Sequence, residues 1–245
     1  IVADLDGDGF PEIAASNPNT DNMSLFRNLG STDIISDTDF STAQNFAVGD
    51  NPTQVVAGDL DLDGKTDLAI INQNDNSVTV LHNQSTMWNL NFNTDNYPVS
   101  ASPRLLRIHD LDGDGKPEII TVNAFLSGIG ATFSVFKNNT ASMDASSFAT
   151  EQLYTRSNNA VPADLDIADL DDDDRADIIL TSTNPDELVI YKNAVTSSAS
   201  IVISDQPVNE SLCEGDNASF IITATGTSNL TYQWQEDQGS GFTNL

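Results

Sequence analysis

Cysteine, histidine and basic side chains are scarce in this sequence. One cysteine, Cys213, and two histidines, His82 and His109, occur among 245 residues. They cannot assemble a Cys/His zinc site, and they leave little for a nucleophile and its base. Nine Lys and Arg stand against 37 Asp and Glu, a net charge of −28. Phosphate backbones are bound by clustered Lys and Arg that release counterions. Nucleic acid is therefore excluded as a partner, and an anionic membrane surface is disfavoured. No apolar run approaches the ~18 residues of a membrane span and no secretory hydrophobic region is visible, so no membrane insertion is expected within this chain. The first residue is Ile1, not Met, which leads us to expect a processed chain or a piece of a longer one. Carboxylate is what remains abundant, and the chemistry must come from it.

The carboxylates are arranged in a repeat. DLDGDGFPE at Asp4 to Glu12 recurs as DLDLDGKTD from Asp59, DLDGDGKPE from Asp110 and DLDDDDRAD from Asp169. A proline precedes the first Asp by seven residues in the last three copies, at Pro52, Pro103 and Pro162. After each acidic box comes an apolar run: Ile13 to Ala15, Leu68 to Ile71, Ile119 to Val122 and Ile178 to Thr181. A second apolar segment then ends in Asn28, Asn83, Asn138 or Asn193, and the third copy carries an insertion near Ser127 to Gly130. Short β-branched runs bounded by Asn, Asp and Ser read as strands rather than helices. Weaker fourth strands are expected around Asn45 to Val48 and Glu151 to Thr155. Four short strands per repeat are the signature of a β-propeller blade. The expected fold is all-β, with four blades over residues 1–196, the first lacking its opening strand.

Aspartates at positions 1, 3 and 5 of a tight turn point into one concavity, and that much negative charge asks for a cation. Hard oxygen ligands at alternate positions, a backbone carbonyl at position 7 and a Gly at position 6 suit calcium. The predicted ligands of the first loop are Asp4, Asp6, Asp8, the Phe10 carbonyl and Glu12. Those of the second are Asp59, Asp61, Asp63, the Lys65 carbonyl and Asp67. The third loop offers Asp110, Asp112, Asp114, the Lys116 carbonyl and Glu118, and the fourth Asp169, Asp171, Asp173, the Arg175 carbonyl and Asp177. The fourth departs from the pattern, with Asp174 where the others have Gly9, Gly64 and Gly115. An EF-hand shares the opening of the box but needs a bidentate Glu at position 12. Ala15, Ile70, Thr121 and Leu180 stand there instead, so up to four Ca2+ in non-EF-hand loops are expected.

The D-x-D-x-D-G-x-x-[DE] box and the trailing strand ending in Asn resemble the FG-GAP/VCBS repeats, calcium-loop blades like those of integrin α propellers. The resemblance covers residues 1 to about 196. It implies an extracellular, non-catalytic recognition surface, in a ring with more blades than the four visible here. After a Ser/Thr/Ala-rich linker at 197–200, residues 201–245 look like the first half of an immunoglobulin-like domain. Ala218 to Thr225 and Leu230 to Gln235 would be strands there, Trp234 the core tryptophan, and Cys213 either half of a disulfide or a small buried hydrophobe.

His82 shares a column with Arg27, Lys137 and Lys192 and is expected on a solvated face; His109 is expected at the rim of its loop, without function. N-x-[ST] matches at Asn22, Asn83, Asn138, Asn209, Asn217 and Asn229 are expected by chance in so Asn-rich a chain. The leading expectation is a secreted or cell-surface module that recognises an extracellular protein or glycan, with calcium in a structural role and no catalysis. A passive spacer and a polysaccharide-degrading propeller are the alternatives.

Overall fold

The structure is a computed structural model. It describes residues 1–30, 35–100, 102–126, 130–139, 147–155, 161–183, 186–194, 202–205, 219, 221–225, 235–237 and 242–244. The chain divides into two compact units, one of Ile1–Leu111 with Gly115–Ala194, the other of Asp112–Asp114 with Val195–Leu245.

In the first unit every repeat becomes one antiparallel sheet whose strands are neighbours in sequence order. The first sheet holds β1 (Val2–Ala3), β2 (Glu12–Asn17), β3 (Asn22–Phe26) and β4 (Gln44–Ala47). The second holds β5 (Pro52–Gly58), β6 (Asp67–Asn72), β7 (Ser77–Asn83) and β8 (Phe92–Pro98). The third holds β9 (Pro103–His109), β10 (Glu118–Leu126), β11 (Gly130–Phe136) and β12 (Gln152–Thr155). The fourth holds β13 (Val161–Ala168), β14 (Asp177–Thr183) and β15 (Glu187–Tyr191) among the described residues. The expectation that the first repeat lacks an opening strand is corrected. Val2 and Ala3 pair with Ile13 and Glu12, and the Ile1 ammonium donates to the Ala14 carbonyl at 2.9 Å. Two residues suffice for this stub, and no proline marks it.

Among the described residues the apolar cores lie between neighbouring sheets. Leu5, Met23 and Leu25 of the first repeat pack against Leu68, Ile70 and Leu81 of the second. Ala69, Ile71 and Val80 of the second pack against Leu106, Ile119 and Phe136 of the third. Ile120, Val122 and Phe133 of the third meet Leu165, Ile178 and Leu180 of the fourth. Successive strand residues point to opposite faces, so β6 feeds one core with Leu68 and Ile70 and another with Ala69 and Ile71. That double burial is why the second strands read as continuous apolar runs.

In the second unit β16 (Val202–Asp205) pairs with β17 (Thr223–Thr225), and β18 (Gln235–Asp237) with β19 (Phe242–Asn244). The strand expected over Ala218 to Thr225 is found only from Thr223. The linker 197–200, Cys213, Ala218, Trp234 and Leu230 lie outside the described residues. No helix among the described residues is long and apolar enough to cross a membrane.

Candidate metal centres

Each acidic loop folds onto its own aspartates. The first Asp accepts a hydrogen bond from the N–H five residues on, at 3.0 Å for Gly9 to Asp4, 2.9 Å for Gly64 to Asp59, 2.8 Å for Gly115 to Asp110 and 2.9 Å for Asp174 to Asp169. Asp6, Asp61 and Asp112 each accept from the N–H two residues on, at 3.1, 3.0 and 3.3 Å. These turns pass through the left-handed region twice. At position 6 φ is 89° for Gly9, 86° for Gly64, 85° for Gly115 and 61° for Asp174. At position 4 it is also positive, and Leu62 (62°) and Asp172 (59°) adopt it without being glycine. The sequence pointed to position 6 alone. A Cβ added at Gly9, Gly64 or Gly115 meets nothing within 4 Å. Position 6 therefore asks for a backbone angle rather than for space, and Asp174 meets it at a cost of roughly 1 kcal/mol.

The turns bring carboxylates together. Oxygens of Asp4, Asp6 and Asp8 lie within 4.8 Å of one another, as do those of Asp59, Asp61 and Asp67, of Asp110, Asp112 and Glu118, and of Asp169, Asp171 and Asp177. Ligands on opposite sides of one calcium, each roughly 2.3–2.6 Å from it, stand about 5 Å apart, so each set fits around a single ion. Glu12, Asp63, Asp114 and Asp173 are outside these sets. The Phe10, Lys65, Lys116 and Arg175 carbonyls belong to the same turns.

The acid at position 9 has a role the sequence reading missed. Glu12, Asp67, Glu118 and Asp177 are all buried, and each accepts two backbone hydrogen bonds. One comes from the leucine at position 2: Leu5 at 2.8 Å, Leu60 at 2.9 Å, Leu111 at 2.8 Å and Leu170 at 3.2 Å. The other comes from the closing asparagine: Asn28 at 3.2 Å, Asn83 at 2.7 Å, Asn138 at 3.3 Å and Asn193 at 2.8 Å. This carboxylate ties its loop to the end of the third strand whether or not it also meets a cation.

The solvated position expected for His82 is corrected by the structure, and two bases of its column, Arg27 and Lys192, reach the acidic loops. The Arg27 guanidinium reaches Asp6 at 2.9 Å and Asp8 at 3.4 Å. Lys192 pairs with Asp171 and, at 3.2 Å, with Asp173, to which Arg175 also bonds at 3.0 Å. His82 is 2% exposed, and its Nε2 lies 2.8 Å from Asp95 Oδ2 on β8. Asp95 belongs to the variable stretch of the repeat, so nothing in the basic column foretold this pairing. His109 is exposed at the end of β9.

Charge compensation separates the loops. In the second, burial raises Asp61 and pushes Asp67 up to about 6 against the hydrogen bonds from Asn83 and Leu60. Asp59 Oδ1 is buried there with no hydrogen-bond partner, a lone pair aimed at nothing the protein supplies. In the fourth, the Arg175 hydrogen bond lowers Asp173, and Lys192 adds to it. Burial also raises Glu12.

A second repeated constellation lies at the far ends of the same strands. Asn17, Asn72 and Asn123, each 13 residues after the first Asp, donate to hydroxyls on the third strand: Ser24 at 2.8 Å, Thr79 at 2.7 Å and Ser134 at 2.7 Å. Those hydroxyls donate on to Asn45, Asn96 and Glu151. Neither this recurring asparagine nor its partners were singled out in the sequence.

A family described as the FG-GAP-like repeat matches residues 4–70 and 59–121. FG-GAP-like repeats are thus present over the first two sheets and the third acidic loop, and the fourth loop lies outside the matched stretches. No curated protein matches the chain.

Proposed function

We propose that this chain is an extracellular calcium-binding β-propeller module that recognises a protein or glycan, with calcium acting structurally. One observation carries the reading: four acidic loops at the same place in four repeats, each converging three carboxylates within one ion's reach, one set including a buried oxygen without a partner. FG-GAP-like repeats and an all-β architecture of consecutive antiparallel sheets of three or four strands support it. Calcium is favoured over magnesium because all-oxygen loops with uneven ligand sets suit its flexible coordination, whereas magnesium holds to a strict octahedron. The state of the carboxylates supports a non-catalytic role. Those in clusters are committed to a cation, to backbone N–H groups or to a neighbouring base. The C-terminal residues 201–245 are read as part of an immunoglobulin-like sandwich.

Calcium titration by calorimetry, with thermal melts in calcium and in EGTA, tests the metal. Three or four sites and a large rise in Tm are expected, and a melt indifferent to EGTA sinks the reading. Glycan and matrix-protein arrays with and without EGTA test recognition, where calcium-dependent capture is expected and a blank array favours a passive spacer. Turnover on a polysaccharide panel would overturn the non-catalytic assignment.

A further inference from the structure

We propose that each of the first three acidic loops is completed as a cation site by the repeat that follows it, through the side-chain amide of that repeat's closing asparagine. This rests on the calcium reading above and goes beyond it, because it makes a loop's affinity depend on a residue about eighty positions downstream.

The leucine at position 2 stands between the first two ligands of its loop, and its peptide is held from both sides. Its N–H goes to the position 9 acid of its own repeat, as described. Its carbonyl accepts from the next repeat: Asn83 Nδ2 to Leu5 O at 2.8 Å, Asn138 Nδ2 to Leu60 O at 2.6 Å and Asn193 Nδ2 to Leu111 O at 2.5 Å. The other amide hydrogen of each asparagine stays within its own repeat, on the carbonyl just before the position 9 acid: Thr66 at 2.8 Å, Pro117 at 3.2 Å and Ala176 at 3.1 Å. A carboxamide offers two donors and an isosteric aspartate none, which accounts for asparagine at these positions. Fixing the leucine peptide fixes the backbone from which the position 1 and position 3 carboxylates hang. In the first loop the following repeat adds a further contact, the Trp88 N–H to Asp6 Oδ2 at 2.9 Å.

The two ends of the series show what the joint adds. Asn28 makes the bond within its own repeat, to Pro11 O at 3.1 Å, and among the described residues it holds no second carbonyl. Leu170 has its N–H held by Asp177, and no described asparagine amide reaches its carbonyl. The leucine side chains follow the same division. Leu5, Leu60 and Leu111 are 2%, 0% and 9% exposed, while Leu170 is 50% exposed. The dependence therefore runs in one direction, from each repeat back to the loop before it.

The test is a calorimetric calcium titration of the whole chain carrying Asn138→Ala, with Asp59→Asn identifying the second loop's share of the isotherm. The second loop is expected to weaken by about tenfold, the factor corresponding to one hydrogen bond of ordinary strength. Terbium in the first loop, sensitised by Trp88, should keep its affinity, and adding Asn138→Ala to Asp59→Asn should cost the second loop nothing more. Asn193→Ala, at a less buried joint, makes the same test on the third loop and serves if Asn138→Ala does not fold. Unchanged affinity of the preceding loop in a folded variant, or equal weakening of every loop, overturns the proposal while leaving calcium binding intact. A wild-type chain that binds no calcium overturns both.

Discussion

The second and fourth acidic loops share one backbone path and differ in where their positive charge sits. Lys192 and Arg175 lie against Asp171 and Asp173 in the fourth. In the second the corresponding base is His82, withdrawn onto Asp95, and the nearest cation is Lys65, 3.9 Å from Asp63, which is outside the converging set. Burial raises Asp61 and Asp67 in the second loop, and the hydrogen bonds from Arg175 and Lys192 lower Asp173 in the fourth. A tethered ammonium and a free divalent ion compete for the same oxygens. The fourth loop is therefore partly satisfied without metal, whereas the second is left with an uncompensated charge that an ion would relieve.

The largest expected contrast comes from removing the position 9 acid. Asp67→Ala strands the buried N–H groups of Leu60 and Asn83, each worth about 1–3 kcal/mol, so a loss of about 3 kcal/mol is expected in urea denaturation with EDTA present. Asp177→Ala should lose less, because Leu170 is half exposed. Equal losses would break the comparison. Next in size is calcium itself. For a Kd of about 0.1 mM and about 1 mM free calcium, one site stabilises the fold by roughly 1.4 kcal/mol. Asp59→Asn should remove more of the calcium-induced rise in Tm than Asp169→Asn, and Lys192→Met should tighten the fourth loop in a calorimetric titration. If Lys192→Met leaves that affinity unchanged, the tethered-cation account fails.

A smaller effect is the pH dependence of the calcium-free chain. Asp67 has a folded pKa of about 6 against an ordinary value of 3.8, so the folded state takes up a proton first. Its contribution to stability grows as pH falls from 7 toward 4 and is lost on the way back up. Asp173 is lowered by its Arg175 and Lys192 partners, so its contribution is present above the ordinary value and disappears as pH falls through the folded one. Melts across pH of Asp67→Asn and Asp173→Asn should change slope in opposite directions; parallel curves would show that the two loops do not differ in this way. Smallest is backbone relief. Asp174→Gly and Leu62→Gly should each gain up to about 1 kcal/mol by removing a side chain from a left-handed φ, read from denaturation midpoints.

Much of this was legible in the sequence because it is local. The acidic box, the apolar run behind it and the trailing strand fall at fixed spacings, and they marked the sheets and the converging aspartates. What escaped was set by partners far along the chain. Asn83 and Asn138 stood out as a column, but their targets, Leu5 and Leu60, lie 78 residues upstream. His82 looked solvated because Asp95, which draws it inward, belongs to a stretch that varies between repeats. Asp67, Glu118 and Asp177 read as ligands and do join the converging sets, but the spacing did not show the two backbone N–H groups that each also serves. Leu62 gave no sign of a left-handed backbone, since a leucine there is unfavourable and only the turn's geometry explains it.

Because each of the three apolar cores among the described residues is shared by two neighbouring repeats, a repeat on its own would lose the packing that holds it. Excising one whole repeat brings together faces of the same kind and leaves a serviceable seam. Cutting within a repeat orphans two interiors at once. Lengthening or shortening of such a chain over evolutionary time is therefore expected to proceed in complete modules.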